Sequence, residues 1–186
     1  MLIDRNKYLG VKTAIENDLE ALNQLTRELS QLGLYPDITA SRIGGFEKDS
    51  SFACRLLGTY LPDYYEGMEN IARRIAKEVD GHISSGDEWH KELIDQVSRE
   101  LPGKRPAIFS EQTYELLDEL RRFRHIFQAK YGFRLNPDKI YRNVSKLKEL
   151  HQLMEIDINS FLHKMDALVS IDDLNDSTGK MLNLKV

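Results

Sequence analysis

Apolar residues recur at steps of three and four from near the start of the chain: Tyr8, Val11, Ile15, Leu19, Leu22, Leu25, Leu29 and Leu32. At 3.6 residues per turn these share one helical face, and the positions between them are mostly Asn, Asp, Glu, Lys and Arg, as a solvated face requires. Gly33 and Pro36 then supply a stop, because glycine takes the left-handed C-cap conformation and proline cannot extend a helix. The stretch from Pro36 to Gly45 reads as a loop. A second series, Phe52, Leu56, Tyr60, Tyr64, Met68, Ile71 and Ile75, predicts a helix from about Asp49 to Val79. Pro62 falls inside it, so a kink or break is expected there.

Beyond a loop at Gly81 to Gly86, a shorter helix is expected from Asp87 to about Glu100, ended by Leu101-Pro102-Gly103. Ser110 can cap the next helix, which carries Leu116, Leu117, Leu120, Phe123 and Phe127 and is closed by Gly132. Asn136-Pro137-Asp138 offers an N-cap, a proline at the first helical position and an acid in the first turn. The last series runs through Ile140, Val144, Leu147, Leu150, Met154, Ile158, Phe161, Met165 and Leu168. No segment shows sustained strand alternation, which makes an all-α antiparallel bundle of about four to five helices the economical architecture. Residues 1–170 are expected to form this single domain, and residues 171–186 a polar, flexible tail.

Composition narrows the function classes. A chain of 186 residues is long enough to bury a core of its own. The lone cysteine, Cys54, excludes an internal disulfide. No apolar run approaches the roughly 20 residues of a membrane helix. The start, Met1-Leu2-Ile3-Asp4-Arg5, lacks the basic-then-apolar shape of a signal peptide, so a soluble cytoplasmic protein is expected. A net charge of −4 argues against a uniformly basic nucleic-acid coat but leaves room for a local basic cleft. There is no phosphate-binding glycine loop. His82 and His90 lack metal-ligand spacing with Cys54 or with carboxylates, and no cofactor is expected. Trp89-His90 reads as packing for the connecting helix, and His151 and His163 as residues at the edge of a packing face.

The densest chemistry lies in Arg121-Arg122-Phe123-Arg124-His125-Ile126-Phe127-Gln128-Ala129-Lys130-Tyr131. Guanidinium groups grip phosphate in a planar, bidentate way, and imidazole moves protons near neutral pH. Together they are the parts needed for metal-free RNA cleavage, in which the ribose 2′-hydroxyl attacks the adjacent phosphate. Composition alone favours a solvated cationic helix end that complements the helix dipole.

Spacing adds a resemblance. An arginine (Arg124), a polar residue directly after it (His125), a position five beyond the arginine (Ala129) and a tyrosine two further on (Tyr131) reproduce the motif of the HepT-like HEPN ribonuclease toxins, except that the family has histidine where Ala129 stands. Leu61-Pro62-Asp63-Tyr64-Tyr65-Glu66-Gly67-Met68-Glu69-Asn70-Ile71 is similar to the family's second helix. Gly86-Asp87-Glu88-Trp89-His90 and Gly103-Lys104-Arg105-Pro106 resemble its connecting segment, so the likeness covers most of residues 50–140.

The resemblance implies a HEPN-type bundle that works as a homodimer, its interface including the helix from Ser110 to Tyr131. It implies a metal-independent endoribonuclease, the toxin of a type VII-like HEPN/MNT toxin–antitoxin pair. In that reading Arg124 holds the scissile phosphate, His125 orients the site, and Arg121 and Arg122 extend the RNA contact. Tyr131 would accept AMP from the partner nucleotidyltransferase, placing a bulky anion where RNA should bind; its plainer role is an aromatic anchor near a helix end. Alanine at 129 removes the expected base. Three explanations stay open: an engineered inactive form, which alanine as the standard truncation favours; a naturally degenerate relative; or proton transfer by His125. The alternatives to a ribonuclease are a non-catalytic HEPN-like module that binds a nucleotidyltransferase or RNA, and a helical adaptor whose basic helix is only a solvated face.

Overall fold

The computed structural model describes residues 3–129 and 136–183. Helix α1 (Arg5–Gln31) starts where the Asp4 carboxylate accepts from the Lys7 backbone N–H at 3.0 Å. It buries Tyr8, Val11, Ile15, Leu22 and Leu29 along one face. Gly33, at φ 68°, turns the chain, and the Leu34 N–H donates back to the Leu29 carbonyl at 2.9 Å. The segment read as a loop extends into a minimal hairpin, β1 (Arg42–Ile43) antiparallel to β2 (Phe46–Glu47). Gly44 and Gly45 between them both have positive φ, the requirement of a two-residue primed turn. Strands of two residues are too short for alternation to show in sequence.

Helix α2 (Ser51–Ile75) is the centre of the bundle and packs against α1 and against three helices that follow it: α3 (Trp89–Val97), α4 (Glu111–Ala129) and α5 (Pro137–Asn183). Ser50 caps it through Ala53 N–H at 3.2 Å. Of the kink or break expected at Pro62, the break does not occur: the helix continues through the proline. Proline removes one backbone donor, but the flanking residues Leu57, Leu61, Tyr64, Tyr65 and Met68 are fully buried, and this packing outweighs the lost bond. After Ile75 the helix widens into one π-helical turn, Ala76–Asp80, ended by Gly81 at φ 86°.

Buried polar pairs fix the shorter elements. Asp80 and Arg105, with side chains 0% and 1% exposed, form a two-pronged ion pair: Nε to Oδ1 at 2.6 Å and Nη2 to Oδ2 at 2.8 Å. Ser110 caps α4 through Thr113 N–H at 3.3 Å, and Asp157 of α5 accepts from Ser110 N–H, Ser110 Oγ and Thr113 Oγ1. Asn136 caps α5 through Lys139 N–H at 3.3 Å. His151 lies inside the core rather than at its edge: it is 6% exposed, with Nδ1 2.9 Å from the Tyr64 hydroxyl, and burial lowers its pKa. His163 is exposed. The α5 helix has no break at Ser170 and runs on to Asn183. No helix among the described residues is long and apolar enough to cross a membrane.

Two glycines set how closely α2 meets its neighbours. A Cβ at Gly58 would lie 2.2 Å from the Phe127 ring of α4, and one at Gly67 would lie 2.7 Å from a terminal methyl of Leu22 in α1. A leucine methyl can rotate aside, whereas an aromatic ring must move as a unit. Gly58→Ala is therefore expected to destabilise the fold by about 1–3 kcal/mol despite alanine's better helix propensity. Gly67→Ala is expected to cost less. Urea unfolding of both variants checks the order, and a Gly58→Ala midpoint at or above the parent's would mean that Phe127 does not pack there.

Candidate active site

The site is built from the face of α2 that meets α3 and α4. Tyr65, Glu69 and Arg73 are spaced four residues apart, so they stack along one side of α2. Glu69 is the buried charge at the centre, its side chain 2% exposed. Its Oε1 accepts from Arg73 Nη2 at 2.5 Å, and its Oε2 lies 2.5 Å from His90 Nδ1 of α3 and 4.0 Å from Arg124 Nη1 of α4. One carboxylate thus joins two arginines and a histidine from three helices.

Arg124 is held on two sides. Its guanidinium carbon stands 5.5 Å from the centre of the Tyr65 ring, a cation–π distance, with the Glu69 carboxylate beyond. Its side chain is 18% exposed, and its buried Nε has no hydrogen-bond partner among the described residues. The buried Tyr65 hydroxyl likewise makes no hydrogen bond of ordinary geometry there. Burial first, and the Glu69 charge second, push the Tyr65 phenol far above the usual tyrosine range, so it stays neutral. Arg73 covers Trp89 at 5.1 Å, and Trp89 stacks on His90 with ring centres 3.6 Å apart. Arg73, Arg124 and Glu69 together leave the cluster with a net positive charge, suited to an anion.

Of the other motif residues, Arg121 adds its charge to that of Arg124 at the Tyr65 phenol, whereas Arg122 turns away from the cluster. Arg121 and Arg122 both pair with Asp118, at 2.8 and 3.2 Å. Arg122 is two residues from Arg124 and therefore points to the other side of α4, about 200° round. There it lines a cleft of about 280 Å³ with Phe123, Ile126, Lys139 and Arg142. His125 is exposed. Ala129 is the last residue of α4, and Tyr131 lies outside the described residues. Among the described residues no three His, Cys, Asp or Glu side chains gather as a metal-binding group.

Glu69, Tyr65, Arg73 and His90 were not singled out for chemistry from sequence. The signal was present in α2, where Glu69 interrupts an otherwise apolar stripe of Leu61, Tyr65, Met68 and Ala72. A lone carboxylate on a buried face needs a cationic partner, and Arg73 one turn on is the first of them. His90 could not be paired with it by spacing, because it arrives from another helix.

No curated protein and no solved structure matches the chain. A family model described as HepT-like protein matches residues 56–165, more than half of the chain, and includes every residue of the Glu69 cluster. The protein belongs to the HepT-like family of HEPN toxins.

Proposed function

We propose that the chain is the toxin of a HEPN/MNT toxin–antitoxin pair, a metal-independent endoribonuclease whose proton acceptor is missing because residue 129 is alanine. The observation that carries this is Arg124: a guanidinium fixed by Tyr65 and Glu69 inside a cationic cluster, with part of its surface open. Such a group can hold a phosphodiester and stabilise the charge that builds on it during attack. Arg121 and the exposed His125 flank it on the same helix, and Arg122 offers a further RNA contact around α4.

The active form is a homodimer. Residues 124 and 129 are five positions apart, which turns them about 140° from each other around a helix, so one protomer does not aim both at one phosphate. A twofold pair of α4 helices can supply the arginine from one copy and the residue at 129 from the other. Ile126, three residues before position 129 on the same helix, is 42% exposed, and covering this apolar side chain favours pairing of α4 with a second copy. Tyr131, seven positions after Arg124, is the proposed acceptor of AMP from the partner nucleotidyltransferase. Incubation with ATP and that partner should give a one-AMP mass increase that Tyr131→Phe abolishes; an adduct that persists would reassign the acceptor.

The experiment is an RNA cleavage assay on the Ala129→His chain in EDTA. Cleavage that appears with histidine and disappears again with Arg124→Ala supports the reading. An Ala129→His chain that leaves RNA intact overturns it. The alanine itself favours a second reading, a module that binds RNA or the nucleotidyltransferase without cutting. That reading predicts Arg124-dependent RNA binding with no cleavage in either form.

A further inference from the structure

We propose that His90 is the leaving-group acid of this site, the residue that protonates the departing 5′-oxygen; the proposal rests on the ribonuclease reading above. Cleavage by the 2′-hydroxyl needs two proton transfers. One removes the proton from the nucleophile, and the other delivers a proton to the oxygen that leaves. The motif position at 129 accounts for the first alone.

His90 has the geometry for the second. Its Nδ1 lies 2.5 Å from the Glu69 carboxylate, which is buried and acceptor-only when ionised, so Nδ1 carries a proton and donates it. That contact fixes the ring and leaves Nε2 as the working nitrogen, the arrangement by which a carboxylate orients a catalytic imidazole. No hydrogen bond among the described residues occupies Nε2, and the His90 side chain is 30% exposed. Trp89 stacked at 3.6 Å restrains the ring from the other direction.

Position also fits. His90 Nδ1 and Arg124 Nη1 approach the same oxygen of Glu69, at 2.5 and 4.0 Å, so they lie no further apart than the sum of those distances. A phosphodiester gripped by Arg124 is then within reach of the imidazole. In the step, the 2′-oxygen bonds to phosphorus and yields its proton to the base. The phosphorus–O5′ bond breaks, and its electron pair takes a proton from Nε2 of His90. The ring must enter the step as the imidazolium, with a proton on each nitrogen, and leaves it as the neutral ring still donating from Nδ1 to Glu69. The products are a 2′,3′-cyclic phosphate and a free 5′-hydroxyl. Glu69 is a positioning residue, since it touches the imidazole and not the substrate.

The test uses the full chain carrying Ala129→His and compares two RNA substrates, one ordinary and one with sulfur replacing the 5′-bridging oxygen at the cleaved bond. A thiolate leaves without a proton, so an acid matters only for oxygen. His90→Asn keeps a donor for Glu69 but removes the transferable proton, and is expected to slow the oxygen substrate by about 10²–10⁴-fold. The loss should shrink to little on the sulfur substrate. Glu69→Gln should show the same bias in milder form. The readout is the ratio of the two rates, so partial loss of folded protein cancels. Equal losses on both substrates, or no loss on oxygen, overturn the assignment. Failure of the Ala129→His chain to cut either substrate would instead overturn the ribonuclease reading and the acid with it.

Discussion

Placing histidine at position 129 is expected to raise metal-independent RNA cleavage by about 10²–10⁴-fold over the parent chain, the usual contribution of one positioned proton acceptor. On the proposed ribonuclease reading, alanine offers no lone pair, so in the parent the 2′-hydroxyl would lose its proton to water or to a poorly placed group. The proposed phosphate grip does not depend on residue 129: Arg124 is held by Tyr65 and Glu69, and the cluster around it carries net positive charge. The substitution falls on the last residue of α4, where histidine's weaker helix propensity costs only about 0.5 kcal/mol, so a change in rate will not be a change in folding. A fluorogenic RNA in EDTA reads the gain, and adding Arg124→Ala should lower the restored rate by about 10²–10³-fold. Equal rates with alanine and histidine at 129 would assign the base to another residue, and His125 would be the first to replace.

The contrast between what sequence gave at α4 and at α2 has a physical cause. Arg124, His125, Ala129 and Tyr131 are local in the chain, and a motif with fixed spacing can be read there without knowing what the helix packs against. The partner face is assembled from three helices. Glu69, His90 and Arg124 meet on one carboxylate although the histidine lies 21 residues from the glutamate and the arginine farther still. Nothing in the spacing announces that meeting. The helices themselves were legible because each carries a long apolar stripe, as in Tyr8 to Leu29 of α1 and Ile140 to Met165 of α5. Pro62 does not end the helix, because the local rule against proline in a helix interior is outweighed by burial on both sides of it. The hairpin at 42–47 was missed because it rests on two glycines and one pair of two-residue strands.

Arg105→Ala is expected to be the most destabilising single substitution near the site, at about 3–5 kcal/mol. The guanidinium is 1% exposed and reaches in two directions. Toward α2 it neutralises Asp80, the last residue of the π turn, with contacts of 2.6 and 2.8 Å. Toward α3 it donates to the carbonyls of Gln96 at 3.1 Å and Arg99 at 2.8 Å; the former also accepts from the Arg99 N–H at 3.4 Å. Truncation strands a buried carboxylate and takes a charged donor from both carbonyls. Gln96 Nε2, 2.7 Å from Asp80 Oδ2, stays behind but carries no charge to compensate. At about 2–4 °C per kcal/mol for a chain of this size, the melting temperature should fall by on the order of 10 °C. Arg105→Lys should recover little, because an ammonium cannot form the fork and reach both helices. Adding Asp80→Leu to Arg105→Ala should regain part of the loss, since the unpaired charge is then gone and only the carbonyls lack their charged donor. The consequence reaches the site, because this pair joins the end of the helix that carries Glu69 to the end of the helix that carries His90. In the Ala129→His background, Arg105→Ala should therefore lose RNA cleavage at a lower temperature than its parent, in step with its own melting curve. A melting temperature unchanged by Arg105→Ala would show that the buried pair contributes no net stability and that other contacts hold α3 in place.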